Sequence, residues 1–211
     1  MDNLNEWPEL LSQEWNHVDA IQLAVLVLGV SEVLLARANS IFLYPAGIGA
    51  TVLAIYSLFT VGLYAECLLH GYYLVMSFYG WWYWTTKKDQ KPVRITLSSR
   101  NDWLITSAIV FIGFGILYFS LSLFTDSEVP VWDAWVSATG WAGMWLLARR
   151  KVENWILLNV SNAFAIPLLF HKSLPLLALL TIILFVVACL GYFDWLKIAR
   201  KNLSQQSAPT A

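Results

Sequence analysis

The chain has 211 residues, 58% of them hydrophobic and 13% charged, with a mean hydropathy of +0.59 and a formal net charge of −1. Soluble domains carry about a quarter charged residues, so this composition excludes a water-facing globule, and the near-zero net charge excludes an electrostatic nucleic-acid binder. Cys67 and Cys189 both fall in apolar runs, which argues against a disulfide framework and against a thiolate metal site.

From the N-terminus, residues 1–17 place Trp7, Leu11 and Trp15 four apart. That spacing suits an amphipathic segment at the outer membrane interface, and equally a loosely ordered tail. An apolar run of about 17–25 residues is needed to cross the hydrocarbon core as helix. Seven runs meet this requirement: about 19–36, 41–59, 62–84, 103–124, 131–148, 152–170 and 174–196. The first lacks a basic n-region and has full span length, so it reads as a helix of the bundle and not as a removable signal peptide. The division near Thr60 rests on length alone, since 41–84 is too long for one span. Within the first span Glu32 is expected to snorkel or to pair with Arg37, and Glu153 to pair with the neighbouring Arg149, Arg150 and Lys151.

Two spans carry most of the mid-depth polar residues, which are costly there and therefore informative. In the third span Glu66, His70, Tyr73 and Ser77 fall on one narrow face at about 100° per residue. In the sixth span Trp155, Asn159 and Asn162 do the same. Both stripes should point inward, because lipid offers them no partners. Aromatic rings there could stack on a flat heterocycle, and the amides and imidazole could bond a ring nitrogen, an amide or a sugar hydroxyl. The alternative is that these groups only bond helices to one another. No HxxxH, HExxH or paired-carboxylate spacing accompanies His70, so no metal, cofactor or catalytic centre is expected, and the chain does not read as an enzyme.

The sequence repeats itself at a shift of about 111 residues. Leu34-Leu35-Ala36-Arg37 recurs as Leu146-Leu147-Ala148-Arg149, one residue out of register, and Gly80-Trp81-Trp82-Tyr83-Trp84 recurs as Gly191-Tyr192-Phe193-Asp194-Trp195. Three helices plus one intervening helix return the second copy to the orientation of the first, so the repeat is parallel. The predicted fold is an all-α membrane protein of seven helices, two parallel three-helix repeats joined by a linker helix. Its divisions are an outer N-terminal segment at 1–17, a single transmembrane domain at 18–201 and a disordered tail at 202–211. Within the domain, repeat one is 18–84, the linker helix 102–124 and repeat two 130–197. At the repeat shift Trp155 and Asn162 correspond to Tyr44 and Thr51, while the third span's polar stripe has no polar counterpart beyond Thr181. One asymmetric site between the third and sixth spans is therefore expected.

Basic residues orient the bundle. Twelve of the thirteen, all but Lys172, fall at one end of the seven spans or in the segments joining them there. The positive-inside rule puts that end and the C-terminus in the cytoplasm and the N-terminus outside.

These residues together resemble the PnuC family of vitamin transporters. The matching stretches are Leu43-Tyr44-Pro45-Ala46-Gly47-Ile48, Leu63-Tyr64-Ala65-Glu66 leading to Tyr79-Gly80-Trp81-Trp82-Tyr83-Trp84, Trp132-Asp133-Ala134, and Arg149-Arg150-Lys151-Val152-Glu153-Asn154-Trp155. The resemblance implies a seven-helix core of three, one and three helices related to the SWEET sugar facilitators, a homotrimer, and a place in the bacterial inner membrane. It implies facilitated diffusion of nicotinamide riboside, feeding pyridine nucleotide biosynthesis through a cytoplasmic kinase that traps the substrate. Thiamine is the runner-up substrate, and a non-transporting scaffold or receptor subunit is the reading from another class. Where members that carry nicotinamide riboside often have Gln and Asn, this chain has His70 and Ser77, and Leu158 replaces a second tryptophan of the sixth helix. The substrate contacts expected are Tyr44, Glu66, His70, Tyr73, Ser77, Trp155, Asn159 and Asn162. The partners are the small-molecule substrate and membrane lipid, with no nucleic acid.

Overall fold

The computed structural model describes residues 20–60, 64–86, 94–125, 128–172 and 174–206, and these are almost wholly helical. In an apolar surrounding every backbone N–H and C=O must be satisfied within the segment, which the α-helix does. The helices are α1 Ala20–Arg37, α2 Leu43–Thr60, α3 Tyr64–Thr86, α4 Arg100–Phe124, α5 Pro130–Ala148, α6 Asn154–His171 and α7 Pro175–Gln206. Each coincides with one of the seven runs read from the sequence. α1, α2, α4 and the stretch Leu177–Ser204 of α7 are long and apolar enough to cross a membrane by length and composition. The remaining three, α3, α5 and α6, include the two helices with polar stripes.

The ends of the helices have local causes. Pro130 occupies the first turn of α5 and Pro175 opens α7, positions where a missing N–H costs nothing. Ser99 and Asp102 form a capping box at the start of α4. Asn39 and Arg150 both take a left-handed backbone, each with φ of 53°, in the turns after α1 and α5. Asparagine tolerates that conformation. Arg150 is held in it by bonds from Thr96 N to Arg150 O (3.2 Å) and from Val152 N to Thr96 O (3.1 Å), with its guanidinium 3.7 Å over the Trp84 ring.

Two expectations at this end are corrected. Glu153 does not pair with the adjacent cations; its carboxylate accepts bonds from Ser98 N (2.9 Å) and Ser98 Oγ (2.7 Å). The cations go instead to Asp102, 3.0 Å from Lys151 and 3.8 Å from Arg149. The expected disordered tail begins too early, because α7 continues through Gln206 and Asn202 Nδ2 donates to Ile95 O at 3.1 Å. The segment 1–17 and residues 207–211 lie outside the described residues.

α1, α2 and α3 pack in sequence, and so do α5, α6 and α7; the two groups meet where α3 touches α5 and α7 touches α1. α4 packs on α5 outside this ring and turns an apolar face outward, with Phe111 72% and Phe124 79% exposed.

At the basic end the two groups grip each other reciprocally. Trp84 Nε1 donates to Ala148 O at 3.0 Å, and Trp195 Nε1 donates to Ala36 O and Arg37 O at 3.1 and 3.2 Å. Tyr44 meets Trp84 edge-on at 5.2 Å, and Trp155 meets Trp195 edge-on at 5.6 Å. Gly80 makes room for Tyr44, and Gly191 for Trp155, whose ring atoms would lie 2.7 Å from an added Cβ. The pairs 39 and 150, 44 and 155, 80 and 191, and 84 and 195 all differ by 111. These aromatics, together with Leu43, Ile95 and Val152, are nearly fully buried and form the main apolar core. An ion pair between Arg37 and Asp194 (2.8 Å) closes the outside of the seam.

Candidate functional site

Away from that aromatic floor the ring of helices opens into a cavity of about 830 Å³ lined by α1, α2, α3, α5, α6, α7 and the first residue before α7. A volume of this size suits a molecule of vitamin or nucleoside dimensions. The lining runs from mid-helix positions such as Thr51, Tyr73 and Asn162 toward the end opposite the basic residues, reaching Gln22, Leu58 and Leu174. Most of the wall is apolar, and the hydrogen-bonding groups are few: Gln22, Glu32, Thr51, Ser57, His70, Tyr73, Ser161 and Asn162. That pattern, an apolar surface with a few convergent polar groups, orients a ligand while burying most of it.

The walls depend on glycines at close approaches. A Cβ at Gly140 on α5 would lie 2.9 Å from Tyr73 Oη and 3.4 Å from Ser161 Oγ. The bare backbone therefore admits the phenol of α3 and the hydroxyl of α6 to one patch of wall. Ser161 Oγ in turn donates to Val136 O at 2.7 Å, which ties α6 to α5. Across the cavity Gly29, Ala50 and Thr51 line the first group of helices where Gly140, Ser161 and Asn162 line the second. Each member of these pairs differs by 111 residues.

His70, Tyr73 and Asn162 face this cavity together. The His70 and Tyr73 rings meet edge-on at 6.0 Å. Tyr44 and Trp155 do not reach it: they are 1% exposed and lie in the aromatic floor. Their polar atoms, Tyr44 Oη and Trp155 Nε1, are buried without a hydrogen-bond partner among the described residues. Ser77, also 1% exposed, is buried about one turn below Tyr73 on α3. Asn159 turns toward α7, where its Nδ2 donates to Cys189 Sγ at 3.2 Å, and it lines a separate shallow groove with Tyr192 and Phe193. Glu66 lies in α3, but its side chain is outside what the structure describes.

The dispersal of the α6 stripe follows from helix geometry. At about 100° per residue, Asn159 and Asn162 differ by about 60° around the axis. α6 is wedged between α5 and α7, so that difference sends Asn162 to the cavity and Asn159 to α7. Trp155 shares the cavity azimuth with Asn162 but sits about two turns nearer the basic end, below the space itself.

Glu32 is the residue whose placement differs most from expectation. It lines the cavity, against Gly47 of α2, where any Cβ would collide with its carboxylate. Arg37 is bound to Asp194 instead. Five residues separate Glu32 from Arg37, about 140° around the helix, so the two never shared a face.

Residues 19–197 match the nicotinamide mononucleotide transporter family. Over 174 residues the chain is 24% identical to the nicotinamide riboside transporter PnuC of Escherichia coli (strain K12), covering 70% of this chain and 72% of that protein. The nicotinamide riboside transporter PnuC of Shigella flexneri matches to the same extent. A crystal structure of the vitamin B3 transporter PnuC shares the fold, with a TM-score of 0.69 at 22% identity over 94% of this chain and 90% of that one.

Proposed function

Since the chain belongs to the nicotinamide mononucleotide transporter family, we propose that it carries nicotinamide riboside across the bacterial inner membrane by facilitated diffusion through the central cavity. The protein is a multi-pass membrane transporter of the PnuC family and not an enzyme. The observation that carries the substrate reading is the cavity of about 830 Å³ with His70, Tyr73 and Asn162 on its wall. An amide and an imidazole there match the carboxamide and ribose hydroxyls of a pyridine nucleoside. His70, Tyr73 and Asn162 form the direct contact set, with Glu66 one turn from His70 on the same stripe. Tyr44 and Trp155 are the floor. Each carries a buried polar atom with no partner among the described residues, a cost that would be relieved if rocking of the halves brought them against substrate.

Movement of this kind needs two rigid halves. We assign them as repeat one, 18–84, and repeat two, 130–197, with 102–124 as the linker helix, in a SWEET-like three-one-three layout. The reciprocal tryptophan bonds and the contacts repeated at a shift of 111 residues support this division. On the same reading the basic end is cytoplasmic, and a cytoplasmic kinase traps what enters. The apolar outer face of α4 is available to lipid or to the neighbours of a homotrimer.

Two measurements bear on this. A bound ligand raises the melting temperature by mass action, so nicotinamide riboside should give the largest shift in a panel with thiamine, riboflavin and nucleosides. A larger shift with thiamine would move the assignment to the runner-up, and no shift with any member would support the scaffold reading. For orientation, a reporter fused after Ala211 should be active only in the cytoplasm. Periplasmic activity would overturn the topology.

A further inference from the structure

Glu32 is the only acidic side chain on the cavity wall among those the structure describes, and nothing in the transport reading above uses it. A carboxylate at this depth is expensive unless it meets a cation. Among the described residues no ion pair involves it, and the nearest basic residue of its own helix, Arg37, is bound to Asp194. Among the described side chains, the other ionisable groups facing the same space are His70 and Tyr73 of α3, with Tyr44 of α2 also within electrostatic reach of the carboxylate. Among the described residues, α5, α6 and α7 contribute no charged group to the wall.

The seat of this carboxylate is built. Gly47 leaves open the space that the Glu32 side chain fills, and a methyl there would collide with it. The second half has the same approach with its contents exchanged. The positions equivalent to Glu32 and Gly47 at the 111-residue shift are Gly143 and Leu158, and there Leu158 lies against Gly143, 2.7 Å from an added Cβ. One half thus presents a carboxyl group to the cavity where the other presents an aliphatic side chain.

We propose that Glu32 is the counter-ion for a fixed positive charge on the substrate, so that the site selects cationic aromatic nucleosides and vitamins, pyridinium or thiazolium, over neutral molecules of the same shape. The cationic ring then lies toward α1 and α2, beside Glu32, and the sugar or other polar end lies toward Asn162 and Ser161. Gly47 is a positioning residue for the carboxylate. This inference rests on the transport reading of the cavity.

The test compares nicotinamide riboside with its 1,4-dihydro form, which keeps the shape and the amide but has no ring charge. Binding of each to the purified wild-type protein and to Glu32→Gln is measured by calorimetry. At the distances spanned by such a cavity a charge pair is a large term, so wild type should prefer the cation by about tenfold or more, and Glu32→Gln should lose that preference through weaker binding of the cation alone. Gly47→Ala, which keeps the charge but displaces it, should reduce the preference without abolishing binding of the dihydro form. Equal affinity of wild type for the two forms would overturn the inference whether or not the variants fold. A preference that survives in Glu32→Gln would overturn it as well. If wild type binds neither form, the transport reading fails and the inference falls with it, an outcome distinct from binding both equally.

Discussion

Gly140→Val should weaken substrate binding by roughly ten- to a hundredfold while leaving a monodisperse protein. Even a single Cβ at this position would stand 2.9 Å from Tyr73 Oη and 3.4 Å from Ser161 Oγ. A branched side chain would push both polar groups off the wall and occupy the space between them. Overpacking of this kind costs about 1–3 kcal/mol, and where the displaced volume is the ligand's own, the cost falls on binding as a loss of roughly ten- to a hundredfold. Gly71→Ala is the control. It lies on α3 with nothing within 4 Å of an added Cβ, so it should leave affinity unchanged and gain up to about 1 kcal/mol in helix propensity. Equal affinities in the two variants, measured by calorimetry, would place the substrate elsewhere.

Asn162→Ala should weaken binding by roughly tenfold or more with little change in melting temperature. Its amide faces the cavity, and a substrate polar group left unmatched in a dry site costs about 1–3 kcal/mol. Trp155→Ala should behave in the opposite way. Trp155 is 1% exposed, packs edge-on against Trp195 and fills the space at Gly191. Emptying that position costs about 3–5 kcal/mol of stability, so its melting temperature should fall sharply whatever happens to affinity. A thermal melt and a binding isotherm on both variants separate the two roles. A stable Trp155→Ala that fails to bind would mean that the floor is already open to substrate.

The seven helices were legible because the composition forces them: apolar runs of span length, cut by Arg37–Ser40, Thr125–Pro130 and Arg149–Lys151, leave few other divisions. The end of α7 was not, because it depends on a bond from Asn202 to Ile95, more than a hundred residues away. In the candidate site, stripes on single helices marked His70, Tyr73 and Asn162, which line the cavity. A stripe gives azimuth and not depth, however, and so it could not separate Asn162 from the deeply packed Trp155. It also could not say which neighbour α6 would offer to Asn159. Glu32 carried a signal in its i, i+5 spacing to Arg37 that pairing by proximity in sequence obscured. Gly47, Gly140 and Gly143 read as ordinary packing glycines until the side chains opposite them are known.

On the proposed reading, this chain alone moves nicotinamide riboside through its cavity without an energy source. Entrance counterflow tests it most directly. Liposomes containing only the purified protein are loaded with unlabelled nicotinamide riboside and diluted into labelled substrate, with sodium, protons and membrane potential equal across the bilayer. A transient accumulation of label above equilibrium is expected, strongly reduced in Gly140→Val. Absence of that overshoot in wild type, or its appearance only when a sodium or proton gradient is imposed, would contradict it.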